Sequence, residues 1–356
     1  MAMTSRERIS LTLRHKEPDR IANYDSPWGT TIRRWRTEGL PEGVAPADYF
    51  NYEIATVSFD GTLRLEPELV EETDDYVIRR DASGTLTKNW KNQASTPEFI
   101  DFLLKDRAIW DEHKERFQPA RDRVDWEKMR EQVRVAREKG KFLCLGGSFG
   151  FQLIFSRMVG PEKTMYVMAD DPEWAKEMFD AVANMTIGMA EIILDEGIEV
   201  DAGHFSDDLG YRNGTFFSPR MYRELIFPAH KRICDFMKGR GLPVILHCCG
   251  NASEIVPDLI EAGIVGLNPL EVKAGMDLLE MKKKYGDVLT LIGGIDVRTW
   301  ARGDLKEIEE EIRLKVSAAK QGGGYIFHSD HSIPDNVSFA AYEKAVECAM
   351  KYGSYN

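Results

Sequence analysis

The chain has 356 residues, of which 30% are charged and 43% hydrophobic, a composition typical of a folded globular protein. Its net charge is −12 and no cluster of Lys and Arg stands out, so we expect no nucleic-acid partner, because phosphate binding needs a basic face. No apolar stretch approaches the roughly 20 residues that span a bilayer, and the charged first residues lack the apolar core of a secretory signal. Five scattered cysteines favour a reducing compartment, so we expect a cytoplasmic protein with no membrane partner.

Strands and helices are predicted to alternate along most of the chain. We predict strands at 20–26, 141–147, 200–208, 243–249, 264–271, 289–296 and 324–330. Apolar residues at helical spacing predict helices at 171–197, 218–241, 253–263, 277–287, 304–323 and 338–353. Repeated strand–helix units with near-continuous apolar strands indicate a parallel sheet. At least six such units in series favour an α/β fold of the (β/α)8 TIM-barrel type over an open doubly wound sheet, with one or two strands left unplaced.

Residues 50–125 do not follow this alternation. The segment 74–90 predicts a hairpin that turns at Asp81-Ala82-Ser83-Gly84, and the segments 97–117 and 125–140 predict helices. We interpret 50–125 as an insertion that partly roofs the barrel mouth. No repeat or low-complexity linker divides the chain, so residues 1–356 are expected to form one domain.

Residues of metal-ligand type follow three of the predicted strands. His247 and Cys249 come directly after the apolar run PVIL, and side chains two apart in an extended segment share a face, so Cys248 should point away. Glu271 and His331 follow the strands at 264–271 and 324–330. Zinc takes thiolate, imidazole and carboxylate ligands, usually four in all. A packed cysteine with a hydrogen-bonded histidine is the simpler alternative, but ligand types at three strand ends favour a zinc site.

The barrel fold gives these strand ends a common location. Active sites of such barrels are built at the carboxyl ends of the strands. The polar positions that fall there are Asp25, Gly146, Gly147, Ser148, Asp207, Asp208, His247, Cys249, Glu271, Asp296 and His331. Structural polar residues would be spread over both ends of the barrel, so we expect these positions to converge on one mouth.

Four segments resemble the uroporphyrinogen decarboxylase superfamily, and most closely its zinc-dependent methyltransferase branch, which serves corrinoid proteins. They are LHCCGN (246–251), NPLE (268–271), GGID (293–296) and GGYIFHSDHSIPDNV (323–337). The resemblance covers residues 130–356 well and the N-terminal third weakly. It implies Zn²⁺, a corrinoid (methylcobalamin or cob(I)alamin) carried by a partner protein, and a small methyl donor or acceptor; a homodimer is left open. Cobalamin-independent methionine synthase has a similar ligand spacing, which supports Glu271 as a ligand.

The sequence departs from the family pattern at two places. His331 stands where the coenzyme M branch typically has a second cysteine before Ile-Pro. The segment YDSPWGTTIRRWRTEGLP (24–41) lacks the Arg-rich motif with which uroporphyrinogen decarboxylases grip propionates. That decarboxylase also needs no metal, so uroporphyrinogen decarboxylation is the second interpretation. A non-catalytic relative that kept the fold is the third, and the retained ligands count against it.

The expected ligand set favours one class of substrate. One cysteine, one glutamate and two histidines around Zn²⁺ form a neutral site, a stronger Lewis acid than a set with two cysteines. A Lewis acid stabilises charge that develops on the oxygen of a poor leaving group. We therefore expect demethylation of an O-methylated substrate, with zinc as the Lewis acid, rather than methylation of a thiol.

Further side chains are candidates for catalysis and substrate contact. Asp207 and Asp208 could orient the substrate or donate a proton to the leaving oxygen, although helix capping or a solvated turn is an equally good interpretation. The candidate substrate contacts are Asp25, Trp28, Phe149 and Tyr211. Asp330 could fix a ligand imidazole, whereas His204 and His230 are interpreted as structural.

Overall fold

The computed structural model describes residues 3–91 and 97–355; residues 92–96 of the expected insertion, and residues 1, 2 and 356, lie outside the described part. The strands are β1 (Ala22–Asn23), β2 (Ile54–Ser58), β3 (Glu68–Glu72), β4 (Tyr76–Arg80), β5 (Leu86–Trp90), β6 (Glu98–Asp101), β7 (Phe142–Ser148), β8 (Ala202–Ser206), β9 (Gly210–Tyr211), β10 (Gly214–Thr215), β11 (Val244–His247), β12 (Ile264–Asn268), β13 (Thr290–Ile292) and β14 (Tyr325–Phe327).

Helices connect these strands. They are α1 (Ser5–Thr12), α2 (Gly29–Glu38), α3 (Pro46–Tyr49), α4 (Arg107–His113), α5 (Trp126–Glu138), α6 (Phe151–Leu153), α7 (Pro161–Asp170), α8 (Pro172–Asp195), α9 (Pro219–Met221), α10 (Phe227–Gly239), α11 (Val256–Ala262), α12 (Leu278–Tyr285), α13 (Val297–Arg302), α14 (Leu305–Ala319) and α15 (Phe339–Gly353). Short 3₁₀ turns lie at Lys114–Arg116, Arg121–Arg123, Ser253–Ile255 and Val272–Ala274, and π-helical turns at Ile154–Met158 and Tyr222–Ile226. Within the described ranges, no helix is long and apolar enough to cross a membrane.

Eight parallel strands form the barrel. Their order in the sheet is β1-β14-β13-β12-β11-β8-β7-β2. From β2 to β14, each barrel strand therefore lies beside the next barrel strand along the chain, and β1 pairs with the last strand, β14. The two remaining edges meet where the N–H of Glu53, just before β2, donates to the carbonyl of Asn23 in β1 at 2.8 Å. The predicted (β/α)8 barrel is confirmed.

The alternation of side chains along each strand separates two apolar layers. One cluster fills the barrel interior, and its strand residues are Ala22, Ile54, Phe142, Cys144, Ala202, Ile245, Ile292 and Ile326. A second, larger cluster lies between the strands and the helices and contains their neighbours Leu143, Leu145, Phe205, Leu246 and Leu291. Because Ile245 points inward and Leu246 outward, His247 points into the barrel mouth.

The eighth strand, β2, falls inside the range that the sequence assigns to the insertion, so the insertion begins after Ser58 rather than at residue 50. Only Ile54 and Val57 of this strand are buried, and Thr56 is exposed, so its apolar pattern is too short to identify it. The strand forms nevertheless because it pairs with β7 from Ile54 opposite Phe142 onward.

The insertion contains a four-stranded antiparallel sheet in the order β3-β4-β5-β6. The predicted hairpin is confirmed as β4 and β5, and its turn is held by the Asp81 carboxylate, which accepts from the N–H groups of Ser83 and Thr85. The helix expected at 97–117 is wrong in its first part, because residues 98–101 pair with β5 and helix α4 begins only after Asp106 caps it. The helix expected at 125–140 is confirmed as α5.

The insertion contacts the segment that follows the carboxyl end of β7. The N–H of Leu104 donates to the carbonyl of Met158 at 3.0 Å, and the Thr85 hydroxyl donates to the carbonyl of Arg157. These contacts hold the sheet on the side of the barrel where the strands end.

A buried ion-pair cluster stabilises the opposite end of the barrel. The Glu53 carboxylate is fully buried and is paired with Arg8 and Arg20, the latter at 2.6 Å, and it accepts from the N–H of Asn23 at 3.0 Å. It therefore joins α1, β1 and the start of β2. Removing one member of a buried pair leaves an uncompensated charge, which is more costly than the loss of the contact itself.

We expect Glu53→Ala to lower the free energy of unfolding by at most about 3–5 kcal/mol, because it removes the buried counter-charge of Arg8 and Arg20 and leaves Arg8 with Asp19 alone. Urea denaturation followed by circular dichroism measures this. The control is Glu138→Gln, which breaks an ion pair with Arg134 on the exposed face of α5 and should leave the denaturation midpoint nearly unchanged. Equal midpoints for the wild type and Glu53→Ala would contradict the assignment.

Candidate metal centre at the barrel mouth

Neighbouring strands bring the predicted ligands to one level. His247 at the end of β11 lies opposite Ser206 of β8 on one side and Asn268 of β12 on the other. The loops that leave these three strands therefore begin side by side. They carry Asp207 and Asp208, Cys248 and Cys249, and Glu271.

His247, Cys249 and Asp208 form the centre of the site. The Nε2 atom of His247 lies 3.3 Å from the Cys249 sulfur and 3.8 Å from Oδ1 of Asp208. One ligand atom from each of the three residues lies within 4.8 Å of the others, and no other such group of His, Cys, Asp and Glu occurs among residues 3–91 and 97–355. Donors at about 2.0–2.3 Å from a tetrahedral zinc ion lie about 3.3–3.8 Å apart, and the two distances from His247 Nε2 fall in this range.

Asn268 sets the orientation of the His247 ring. Its side-chain oxygen lies 2.9 Å from Nδ1 of His247, so with Asn268 as the acceptor Nδ1 carries the proton. The lone pair of Nε2 then faces Cys249 and Asp208. A metal-bound histidine typically donates its other ring N–H in this way, which holds the ring and makes it a stronger ligand. Asn268 lies in the segment NPLE, but its role could not be inferred before its partner was known.

The two adjacent cysteines have opposite environments. Cys248 is buried in the barrel wall, and its sulfur accepts from the N–H of Leu209 at 3.4 Å, whereas the sulfur of Cys249 faces His247. The predicted orientation of Cys248 is confirmed. Burial raises the pKa of both thiols, and Asp208 raises that of Cys249 further. A metal cation would supply the positive charge that deprotonates Cys249.

Glu271 and His331 lie beside this centre, but their donor atoms do not join the group of three. Oε2 of Glu271 accepts from the N–H of Gly250 at 2.6 Å, and Oε1 pairs with Lys273 at 3.1 Å. The His331 ring packs edge-on against Trp28, with 6.4 Å between ring centroids. Burial lowers the pKa of His331, Lys273 lowers it further, and Glu271 opposes both effects.

Asp207 and Asp208 point to opposite sides, as adjacent residues of an extended segment do. Asp207 is fully buried, accepts from the N–H of Phe151 at 3.1 Å, and lies 2.8 Å from Nε2 of His230. This carboxylate connects α6 and α10 rather than facing the mouth. Asp208 is half-buried at the mouth, where Oδ1 accepts from the N–H of Cys249 at 2.9 Å.

Gln152 connects the two aspartates and was not identified from the sequence. Its backbone N–H donates to Asp207, its side-chain nitrogen donates to Asp208 at 2.5 Å, and its side-chain oxygen accepts from Ser206 at 3.0 Å. The only signal is its place shortly after the glycine-rich end of β7. Gln152 and the Cys249 N–H together hold the Asp208 carboxylate beside the His247 ring.

The remaining candidates divide between the wall of the site and the core. Asp25 is buried, and its carboxylate accepts from the Ser329 hydroxyl at 2.6 Å and the Tyr342 hydroxyl at 3.2 Å. Phe149 is buried and stacks on Phe205, with ring centroids 5.6 Å apart. Tyr211 is exposed and borders the site directly.

Asp330 binds backbone N–H groups rather than the imidazole of a ligand histidine, which the sequence suggests as its partner. Its carboxylate accepts from the N–H of Val272 at 3.1 Å and from the N–H of Val297 at 3.0 Å. Burial raises the pKa of Asp330 to about 6. Because Val272 follows Glu271 directly, Asp330 fixes the chain beside this candidate ligand.

A cleft of about 390 Å³ opens next to Cys249. Its lining residues are Gly210, Tyr211, Arg212, Cys249, Gly250, Glu271, Lys273 and Arg298. Gly250 has φ +77°, and a Cβ atom there would collide with the backbone of Gly210, so the loops after β8 and β11 can approach closely only with glycine. The cleft gives a small molecule a path to the Cys249 sulfur.

The comparisons with known proteins agree with this architecture. A family model described as uroporphyrinogen decarboxylase (URO-D) matches residues 97–352. The chain belongs to the uroporphyrinogen decarboxylase family. This confirms the resemblance carried by the segments at 246–251, 268–271, 293–296 and 323–337.

The curated relatives that the chain matches have names that describe different activities. The methylcobamide:CoM methyltransferase MtaA of Methanosarcina barkeri is 25% identical over 187 residues, which is 52% of each chain. A uroporphyrinogen decarboxylase of Streptomyces coelicolor is 25% identical over 191 residues, 52% of this chain and 49% of that protein. The chain thus spans about half the length of the curated relatives it matches.

The same fold occurs in a solved methyltransferase from Methanosarcina mazei. The TM-score is 0.69 at 16% identity, and the alignment covers 98% of this chain and 99% of that one. This likeness shows that the barrel fold is shared over 98% of the chain.

His204 on β8 generates a prediction about pH. Its Nε2 atom is inaccessible to solvent and has no hydrogen-bond partner in the described part of the chain. Burial lowers the pKa of His204 from 6.5 to about 3, and His247 and His328 contribute to the shift. Between these two values the unfolded chain binds a proton that the folded protein does not, so stability falls as the pH drops below 6.5.

We expect the free energy of unfolding to fall more steeply in the wild type than in His204→Gln between pH 6.5 and 4.5, by at most about 1.4 kcal/mol per pH unit. Urea titrations at several pH values measure this. NMR signals of the His204 ring should not titrate between pH 8 and 5; a midpoint near 6 would contradict the lowered pKa.

Proposed function

We propose that the protein is a zinc-dependent methyltransferase that moves a methyl group between a small substrate and a corrinoid carried by a partner protein. The observation that carries the proposal is the spacing of the His247, Cys249 and Asp208 donor atoms at the mouth of a URO-D barrel. The MtaA relative, whose name describes transfer from a methylated corrinoid, supports the reaction class.

The proposed ligands are His247, Cys249, Glu271 and His331. His247 and Cys249 already have the donor spacing of a tetrahedral site, and the other two lie beside them. Asp208 is the alternative for one ligand position, because its carboxylate is the nearest third donor. When bound, zinc would act as a Lewis acid on a substrate atom or stabilise a thiolate.

The chain's own residues perform the remaining tasks. Asn268 keeps the Nδ1 proton of His247 on the side away from the site, so that Nε2 is available as a donor. Gln152 and the Cys249 N–H hold Asp208 at the mouth, where its carboxyl group, when protonated, can pass the proton to a leaving oxygen and is left as the carboxylate that these two donors stabilise. Asp207 is buried and positions the Gln152 backbone, so of the two aspartates we assign the catalytic role to Asp208.

The substrate is proposed to carry its methyl group on oxygen. Two neutral histidines, one thiolate and one carboxylate neutralise the charge of Zn²⁺. Such a neutral site is a stronger electrophile than a site with two cysteines, which carries a net negative charge. Tyr211 and Trp28 are proposed as walls of the binding site, since Tyr211 borders the cleft and Trp28 contacts His331.

Two further statements belong to the same proposal. One domain is supported by a hydrophobic cluster that runs without a break from the insertion residues Leu63 and Leu104 to the barrel residue Phe205. A cytoplasmic location is supported by the cysteines: all five lie in the described part of the chain, and none forms a disulfide. Cys249 must stay reduced to bind a metal ion.

Decarboxylation of uroporphyrinogen is the second candidate, because a relative of similar identity has that activity in its name. Its substrate carries several carboxylates, and the segment 24–41 lacks the Arg-rich motif that would bind them. The two candidates differ in their need for metal, which makes the zinc content informative.

We expect Cys249→Ala to lose stoichiometric zinc and Cys248→Ala to retain it, because only the Cys249 sulfur faces His247. Metal analysis after purification with added zinc measures this, and Cys248→Ala is the matched control. The same measurement on Asp208→Asn and Glu271→Gln identifies the third ligand. An equal loss of zinc from Cys248→Ala and Cys249→Ala would contradict the assigned orientation of these two side chains.

With cob(I)alamin as acceptor and a panel of methoxylated aromatics, methanol and methylated thiols, we expect methylcobalamin to form with at least one donor. Absorption spectroscopy follows its formation. The signal should disappear in His247→Ala and fall by about 10²–10⁴-fold in Asp208→Asn, the usual effect of losing a general acid. Conversion of uroporphyrinogen to coproporphyrinogen without methyl transfer would favour the second candidate, and a thiol donor would overturn only the preference for oxygen.

A further inference from the structure

Glu271 is already engaged by two partners. Its side chain is 11% exposed, Oε1 pairs with the Lys273 ammonium at 3.1 Å, and Oε2 accepts from the Gly250 N–H at 2.6 Å. Both oxygens are therefore occupied before any ion is bound. Each carboxylate oxygen has two lone pairs, so the Gly250 N–H can stay on Oε2, but an ion that approaches Oε1 meets the Lys273 ammonium and has to displace it.

The contact with Lys273 is the one that can be released. The Gly250 N–H belongs to the backbone next to Cys249, and it can stay on one carboxylate oxygen while the other binds an ion. The Lys273 side chain is flexible and 44% exposed, so its ammonium can be hydrated in the cleft. Its positive charge would also repel a dication held by the same carboxylate.

The backbone keeps Lys273 within reach of Glu271. The 3₁₀ turn Val272–Ala274 starts at Glu271, and the N–H of Ala274 donates to the Glu271 carbonyl at 3.0 Å. The Asp330 carboxylate binds the N–H of Val272 at 3.1 Å and holds the start of the turn. Lys273 is thus present at a high effective concentration, so it competes as an intramolecular partner.

We propose that Lys273 competes with the metal ion for the Glu271 carboxylate and thereby weakens zinc binding. This inference rests on the proposed zinc site. A weakened glutamate ligand leaves the ion more electrophilic and the Glu271 position easier to exchange for a substrate atom. Lys273 acts through Glu271 and is a positioning residue, not a catalytic one.

The test is the zinc affinity of Lys273→Met, measured by competition with a chromophoric chelator at constant pH and ionic strength. We expect the affinity to rise about 10-fold, the scale on which partners of metal ligands act. Lys273→Arg keeps the ion pair and should bind zinc as the wild type does. Lys284→Met, which removes an exposed lysine from α12, is the matched control and should have no effect.

A second comparison separates competition from simple charge repulsion. In the Glu271→Gln background the effect of Lys273→Met should shrink, because the carboxylate for which lysine and zinc compete has been removed. An unchanged or lower affinity in Lys273→Met, or an equal gain in both backgrounds, would overturn the inference. A wild-type protein that binds no zinc would instead refute the proposed zinc site, so the two failures are distinguishable.

Discussion

The closed ring of eight parallel strands is the constraint on which the site depends. Because every strand runs in the same direction and pairs in register, the chain leaves the sheet at one level, with His247 opposite Ser206 and Asn268. The period of two along each strand then decides which side chains enter the mouth. Donor atoms from two loops, after β8 and β11, lie within a few ångströms of each other, and neither loop alone could form such a site.

Buried carboxylates bind the backbone of the loops above the strands. Asp207 accepts from backbone N–H groups at the start of α6, and Asp330 accepts from the N–H groups of Val272 and Val297. Backbone donors that follow a strand have no partner in the sheet, and a charged acceptor satisfies them with strong hydrogen bonds. These contacts compensate the cost of burying the carboxylates and hold the chain beside Glu271 and Gln152 in one conformation.

The side chains beside the site are mostly positively charged, whereas the chain as a whole is negatively charged. The net charge is −12, yet the cleft next to Cys249 is lined by Arg212, Lys273 and Arg298, with Glu271 as its single carboxylate. Burial disfavours the Cys249 thiolate, and Asp208 disfavours it further. Ionisation of this thiol therefore requires positive charge close to the sulfur, which is what a metal ion provides.

The sequence by itself determined the barrel, seven of its eight strands, the hairpin and the opposite orientations of Cys248 and Cys249. These follow from periodicity and from apolar runs, which are local properties of the chain. Strand β2 and residues 98–101 were assigned wrongly because their own residue patterns do not predict strands. They form strands because they pair with β7 and β5, and this pairing depends on the tertiary structure. The contacts of Gln152, Asn268 and Lys273, and the burial of Asp207 against His230, were decided only by the tertiary structure. A hydrogen bond depends on the positions of both partners. Residue type and spacing along the chain describe each residue by itself and do not show which distant residue will lie next to it.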